Sequence, residues 1–182
     1  MYLFLDTETT GYSPQDRIVS ICWSFFDSSG GELSSVHHII RPDGFSIPTE
    51  AANIHGITTE VARRRGIPLA EALVALYTDV QSRKPHLYVG HNISFDLPIL
   101  LNEYLRIRHP ENISSLPTFC TMKSTTRVCC IRRPGGGYKW PTLEELYRHL
   151  FGCAHEAAHD ARGDVRACAK CFFELRRRGF VR

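Results

Sequence analysis

The chain opens on an apolar run, Tyr2–Asp6, that ends in a carboxylate and gives way to Thr-rich residues and Gly11. A short apolar run followed by turn residues reads as a buried strand that stops at a loop. Arg17–Asp27 (RIVSICWSFFD) and Leu33–Arg41 (LSSVHHIIR) are dense in β-branched and aromatic residues. Such side chains suit a pleated, packed surface, and Gly30–Gly31 in the Ser28–Glu32 link predicts a hairpin between them. Three strands on short connections make an antiparallel meander. The period then lengthens. Pro48–His55 and Thr58–Arg65 read as short helices, the second opened by Thr58 as its cap. Pro68–Arg83 sets Leu69, Leu73, Leu76, Tyr77 and Val80 at helical spacing behind an initial proline. His86–Val89 is a strand closed by Gly90, Phe95–Arg108 an amphipathic helix and Pro117–Thr121 a short strand. Thr125–Trp140 turns basic and Gly-rich and reads as a mobile loop. Thr142–Leu150 and Ala158–Arg178 complete the chain as helices.

This order, strands first and then strands alternating with helices, predicts an α/β fold: a mixed five-stranded sheet, its first three strands antiparallel, flanked by helices. No repeat, low-complexity tract or linker interrupts it, so residues 1–182 are expected to form a single domain. Composition, at 43% hydrophobic and 23% charged, excludes a disordered, collagenous or coiled-coil chain. No run is long enough for a membrane helix, and the acidic turn in MYLFLDTETTG does not suit a secretory signal. The seven cysteines include an adjacent pair, Cys129–Cys130, and their odd number favours free thiols in a reducing, cytoplasmic setting. Net charge is only +3. The clusters Arg63–Arg65, Arg132–Arg133 and Arg176–Arg178 read equally as phosphate contacts or as solvated helix ends.

Candidate chemistry lies in the carboxylates. Asp6 and Glu8 are two apart at the end of the first strand, so both point to one side, roughly 7 Å apart at Cα. Two carboxylates about 4 Å apart repel by around 4 kcal/mol at an effective dielectric near 20. A hard divalent cation reverses that sign, and all-oxygen ligands suit Mg²⁺ or Mn²⁺. Asp96 follows the turn Gly90-His91-Asn92-Ile93-Ser94 in the first turn of a helix, where it is either a helix-dipole partner or a third site carboxylate. Asp164 shares a helical face with Ala161, Cys168, Cys171 and Leu175, which would carry it against the sheet. His159 stands near the start of that helix, and an imidazole there suits a general base.

Together, Asp6-Thr7-Glu8-Thr9-Thr10-Gly11, His91-Asn92-x-x-Phe95-Asp96 and His159-Asp160-Ala161-x-x-Asp164 resemble the three exonuclease motifs of the DEDD superfamily. They are nearest its DnaQ-like, DEDDh branch, typified by proofreading subunits of bacterial replicative polymerases. Ile54-His55-Gly56-Ile57-Thr58 is similar to the His-Gly-Ile segment common there. The resemblance implies a ribonuclease-H-like fold and 3′→5′ cleavage that releases nucleoside 5′-monophosphates from a nucleic acid with a free 3′ end. It implies two ions, Mg²⁺ or Mn²⁺, held by Asp6, Glu8, Asp96 and Asp164, with His159 deprotonating the attacking water. Thr7, Thr10, Gly11, His55 and Asn92 become substrate-binding candidates. Thr10 and Gly11 would offer backbone N–H groups to the terminal nucleotide. His55 either lines that pocket or is a hydrogen-bonded loop histidine; Asn92 either fixes the turn or orients a ligand. Phe95 reads as core, while Tyr12, Tyr138 and Trp140 either stack on unpaired bases or simply pack.

Single-stranded or frayed DNA is the favoured substrate, because Asp-Thr-Glu-Thr-Thr-Gly looks nearer the DNA-directed members; an exoribonuclease is the alternative. A non-catalytic nucleic-acid or polymerase-binding module is the reading from another class, and the filled catalytic positions argue against it. The chain stops shortly after its last helix, so polymerase association is not expected, whereas a homodimer is compatible with the family. Cys153, His155, His159, Cys168 and Cys171 have the spacing of a zinc set, but Cys168 and Cys171 lie on the inward helix stripe, where cysteine behaves as a small apolar residue. Gly135–Gly137 has no Lys-Ser/Thr behind it and is not a phosphate-binding loop. With Arg127, Arg132, Arg133 and Lys139 it is a candidate flap over the nucleic-acid backbone.

Overall fold

A computed structural model of the chain describes residues 1–155 and 160–181. Its sheet is five-stranded and mixed, in the order β3-β2-β1-β4-β5, with β1 Tyr2–Thr9, β2 Ile18–Phe26, β3 Glu32–Ile39, β4 Leu87–Gly90 and β5 Thr118–Cys120. β2 pairs antiparallel with both β1 and β3, while β4 runs parallel to β1 and β5 parallel to β4. The helices are α1 Thr49–His55, α2 Thr59–Arg65, α3 Leu69–Arg83, α4 Ile93–Arg106, α5 Thr121–Ser124, α6 Thr126–Cys129, α7 Leu143–Phe151 and α8 Ala161–Arg177. The mixed, helix-flanked sheet expected from the sequence is the one observed. Among the described residues, no helix is long and apolar enough to cross a membrane.

Alternation along β1 decides what each side of the sheet receives. Leu3 and Leu5 pack with Trp23, Leu73, Leu76 and Tyr104 on the side of α3 and α4. Tyr2 and Phe4 pack with Cys22, Val165, Cys168 and Phe172 on the side of α8. β2 is buried along its whole length because both of its faces are covered, which is why it reads as a nearly continuous apolar run rather than an alternating one.

Three expectations change. β1 does not stop at Asp6: pairing with β2 continues to Glu8 opposite Ser20, and the register breaks only between Glu8 and Thr9. Ladder hydrogen bonds thus carry the strand through polar residues that composition alone would assign to a loop. α4 begins at Ile93 rather than Phe95, because Asn92 takes a left-handed turn, φ 71°, straight into it. Thr125–Trp140 is not one loop. Thr126–Cys129 closes a helical turn, and a bridge pairs Arg132 with Tyr138 around Gly135–Gly137, making a small hairpin. The other arginine clusters are helix ends: Arg63–Arg65 form the last turn of α2, and Arg177 and Arg178 at the end of α8 both bind Glu174.

Candidate active site

The same alternation places the carboxylates. Asp6 and Glu8 continue the Tyr2–Phe4 side of β1, towards α8. Ala161, Val165 and Cys168 are buried against the sheet, and this docking swings Asp164, in the first turn of α8, over the end of β1. One carboxylate oxygen each from Asp6, Glu8 and Asp164 lie within 4.8 Å of one another. Thr7 faces the opposite side, and there it meets Asp96. Its backbone N–H and hydroxyl both donate to Asp96 Oδ1, at 3.1 and 2.7 Å. Asp96 is thereby fixed one residue from both Asp6 and Glu8 while approaching from the other helix layer.

Metal-free, this arrangement is electrostatically unfavourable. Burial, then the charges of Asp96, Asp164 and Glu8, raise Asp6 well above the usual carboxylate range. Burial, then Asp164 and Asp96, push Glu8 up to about 8. Burial pushes Asp96 up to about 7, with the Thr7 hydrogen bonds pulling it back. Carboxylates shifted upward by burial, and in Asp6 and Glu8 also by the charge of neighbouring carboxylates, form an all-oxygen donor set that fits hard divalent ions. The chain's own residues therefore suit the metal that its motifs imply.

Two histidines belong to this neighbourhood. His159, the expected general base, lies outside the described residues. His155 is buried, with Nε2 3.7 Å from Asp164 and 3.5 Å from Glu144 at the start of α7. In the sequence His155 reads only as a candidate zinc ligand. Its contact with Glu144 joins residues on two separate elements and leaves no local signature. Cys168, another member of that set, packs its sulfur 3.7 Å from the Thr121 hydroxyl.

A cavity of about 370 Å³ adjoins the carboxylates and shares Thr7 and Glu8 with them. Thr10, Gly11, Tyr12, His55 and Phe95 also line it, so four of the five substrate-binding candidates meet in one place. Gly11 leaves room for a neighbour: a Cβ there would sit 2.7 Å from the Asp16 carboxylate, which would have to shift. That carboxylate accepts from the Thr10 hydroxyl at 2.9 Å and from Ser13 N–H at 2.7 Å, which folds the loop back on itself. His55 Nδ1 accepts from Ile57 N–H at 3.1 Å, and burial lowers its pKa. Asn92, the fifth candidate, is not among the lining residues. Its Oδ1 accepts from the Ser94 hydroxyl at 3.2 Å and its carbonyl from Phe95 N–H at 2.8 Å, so it shapes the turn into α4. His91 serves the same end of the sheet. Burial lowers its pKa to about 4; neutral, it donates from Nε2 to the Pro141 carbonyl at 3.1 Å, with Thr121 Oγ1 2.9 Å from Nδ1.

Known proteins carry the same architecture. The RNase_T family model, described as an exonuclease, matches residues 3–172. The chain is 36% identical to Exonuclease DPD1, chloroplastic/mitochondrial, of Arabidopsis thaliana over 93% of its own length and 54% of that protein's. It is 29% identical to the uncharacterized exonuclease CP81 of Escherichia phage 186, covering 92% of this chain and 88% of that one. Exonuclease I of E. coli, in complex with a dT13 oligonucleotide, superposes with a TM-score of 0.82 at 23% identity over 96% of this chain and 40% of the other. The chain thus spans about half of the plant relative and less than half of Exonuclease I.

Proposed function

Since the chain belongs to this exonuclease family, within the DEDD superfamily, we propose that it is a metal-dependent 3′→5′ exonuclease acting on single-stranded or frayed DNA ends and releasing nucleoside 5′-monophosphates. Residues 1–182 are taken as one exonuclease domain. The observation that carries this reading is the convergence of Asp6, Glu8 and Asp164 within 4.8 Å, with Asp96 clamped beside them by Thr7. Asp6, Glu8, Asp96 and Asp164 would hold two Mg²⁺ or Mn²⁺ ions, which when bound neutralise charge on the phosphate and make water more acidic.

The protein's own residues supply the remainder. Thr7 keeps Asp96 oriented and favours its ionised form. The cavity beside Glu8 is shaped to take the terminal nucleoside, its Thr10–Gly11 backbone against the sugar and its Tyr12, His55 and Phe95 wall against the base. His159, five residues before Asp164, takes the proton of the attacking water in this reading. Partial burial of the cluster strengthens each electrostatic contact made there. Exonuclease I, which shares the fold, was crystallised on single-stranded DNA, in keeping with a DNA substrate. Free thiols at all seven cysteines suit a reducing, cytoplasmic compartment.

Digestion of 3′-labelled and 5′-labelled DNA and RNA oligomers in Mg²⁺, Mn²⁺ or EDTA tests polarity, sugar preference and metal need together. The expected result is stepwise loss from the 3′ end of DNA, abolished by EDTA and by Asp6→Ala. Asp6→Ala activity equal to wild type refutes the ligand assignment, and 5′ release refutes the polarity.

A further inference from the structure

We propose that the hairpin between α6 and α7, with Lys123 of α5, forms a stacking track for single-stranded DNA upstream of the scissile end. This rests on the exonuclease reading above and names how that site holds more than one nucleotide. Trp140 and Tyr138 are among the few large apolar side chains left open to solvent, 52% and 43% exposed. They stand two apart on the returning arm of the hairpin, whose outgoing arm pairs Arg132 with Tyr138. Lys139 N–H donates to the Ile131 carbonyl at 2.9 Å and Arg133 N–H to the Gly137 carbonyl at 3.1 Å, so the two arms are joined in register.

The hairpin is anchored at the site. His91, at the end of β4 and a short turn before Asp96, holds the Pro141 carbonyl next to Trp140. β4 lies beside β1 in parallel, so His91 and the segment it holds lie at the same end of the sheet as the carboxylates that close β1. Lys123 Nζ sits 5.9 Å from the Trp140 ring centroid. Arg132 and Arg133, both exposed, lie on the arm that pairs with Tyr138 and Gly137; Arg127 in α6 is also exposed, while Lys139 is held by Glu145. Aromatic faces interleaved with cations, beside a site built for a strand end, are what an unpaired strand requires: rings for its bases and charges for its phosphates. A residue step of two along an extended arm is roughly 7 Å, enough to seat successive unstacked bases on separate rings.

The test compares kcat/KM for a dT8 oligomer with kcat/KM for the p-nitrophenyl ester of thymidine 5′-monophosphate, which has no upstream nucleotides. Trp140→Ala and Tyr138→Ala should each lower the oligomer-to-ester ratio by about tenfold, the effect of losing one base–aromatic stack, and Trp140→Phe should restore most of it. Lys123→Ala and Arg127→Ala should each reduce the slope of log Kd against log salt by about 0.7, read by anisotropy with labelled dT8 in EDTA. A ratio unchanged in Trp140→Ala, or equal Kd values in EDTA for wild type and the protein carrying both Tyr138→Ala and Trp140→Ala, overturns the track. If wild type hydrolyses neither substrate in any metal, the exonuclease reading fails, and the anisotropy arm still decides whether the hairpin binds a strand.

Discussion

Glu8→Gln should stabilise the metal-free protein while removing its activity, and the size of the effect follows from the site. Glu8 is pushed from its ordinary 4.5 to about 8 by burial and by Asp164 and Asp96. Its proton is therefore held more tightly in the folded chain than in the unfolded one. Below about pH 4.5 both forms are protonated and nothing is lost; between about 4.5 and 8 stability falls, at about 1.36 kcal/mol per pH step, and above that it levels off. On the order of 3 kcal/mol is gone by pH 7, from a total in which about 5–15 kcal/mol is usual. Glutamine keeps the shape and cannot ionise. Thermal unfolding followed by circular dichroism in EDTA should show variant and wild type together near pH 4.5. By pH 7 the variant should melt about 6–12 °C higher, at about 2–4 °C per kcal/mol for a chain of this length. Saturating Mg²⁺ or Mn²⁺ should narrow or reverse that gap, since binding at 100 times Kd adds about 2.7 kcal/mol to wild type. A gap that does not grow with pH would refute the claim that Glu8 is held against its charge.

Thr7→Val removes the hydroxyl that binds Asp96 at 2.7 Å and leaves the backbone N–H in place. Asp96 should then hold its proton to higher pH. The acid limb of the kcat profile should move upward and kcat at pH 7 should fall about tenfold with KM little changed, the usual worth of one hydrogen bond to a charged group. Glu103→Ala removes a fully buried carboxylate that binds Arg17 Nε at 2.8 Å and Ile18 N–H at 3.1 Å. The loss should be about 1–3 kcal/mol, because the buried Ile18 N–H is left without its acceptor while the partly exposed Arg17 can turn to water, and a urea midpoint measures it.

The motifs were legible because each sits where its element begins or ends, and such places announce themselves in composition. Asp6-x-Glu8 closes an apolar run, Asp96 follows a Gly-bounded turn, and Asp164 interrupts an apolar helical stripe. What escaped was whatever long-range pairing decides. Thr7–Thr9 look like loop until β2 supplies a partner strand. The Arg132–Tyr138 hairpin is hidden inside a Gly- and Arg-rich stretch whose composition says only that it is not regular. Thr7 itself read as a substrate contact, yet its hydroxyl is committed to Asp96, a relation between residues 89 apart that no local pattern carries. Glu103 escaped for the same reason: a glutamate on an amphipathic helix reads as solvated, and only the fold shows it buried.

Glu103 also explains how the metal ligands and the nucleotide cavity keep their relative positions. It stands seven residues after Asp96, two helical turns, and so on the same face of α4. That face meets the open end of the β1–β2 pair twice, Asp96 at Thr7 and Glu103 at Ile18. Residues on either side of Glu103 reach further: Asn102 donates to the Pro14 carbonyl at 2.8 Å and Arg106 to the Gln15 carbonyl at 2.6 Å. Loop 10–17, which carries Thr10, Gly11 and Tyr12 into the cavity, is therefore held by the helix that carries a candidate metal ligand. The wall that would grip a terminal nucleoside and Asp96 are thus tied to one helix. Release of the Glu103 clamp should then reach the chemistry as well as the fold. In protein kept folded at low temperature, Glu103→Ala should lower kcat and raise KM together, whereas Thr7→Val, which leaves the loop tethered, should lower kcat alone. Equal effects of the two substitutions on KM would show that α4 does not link the two parts of the site.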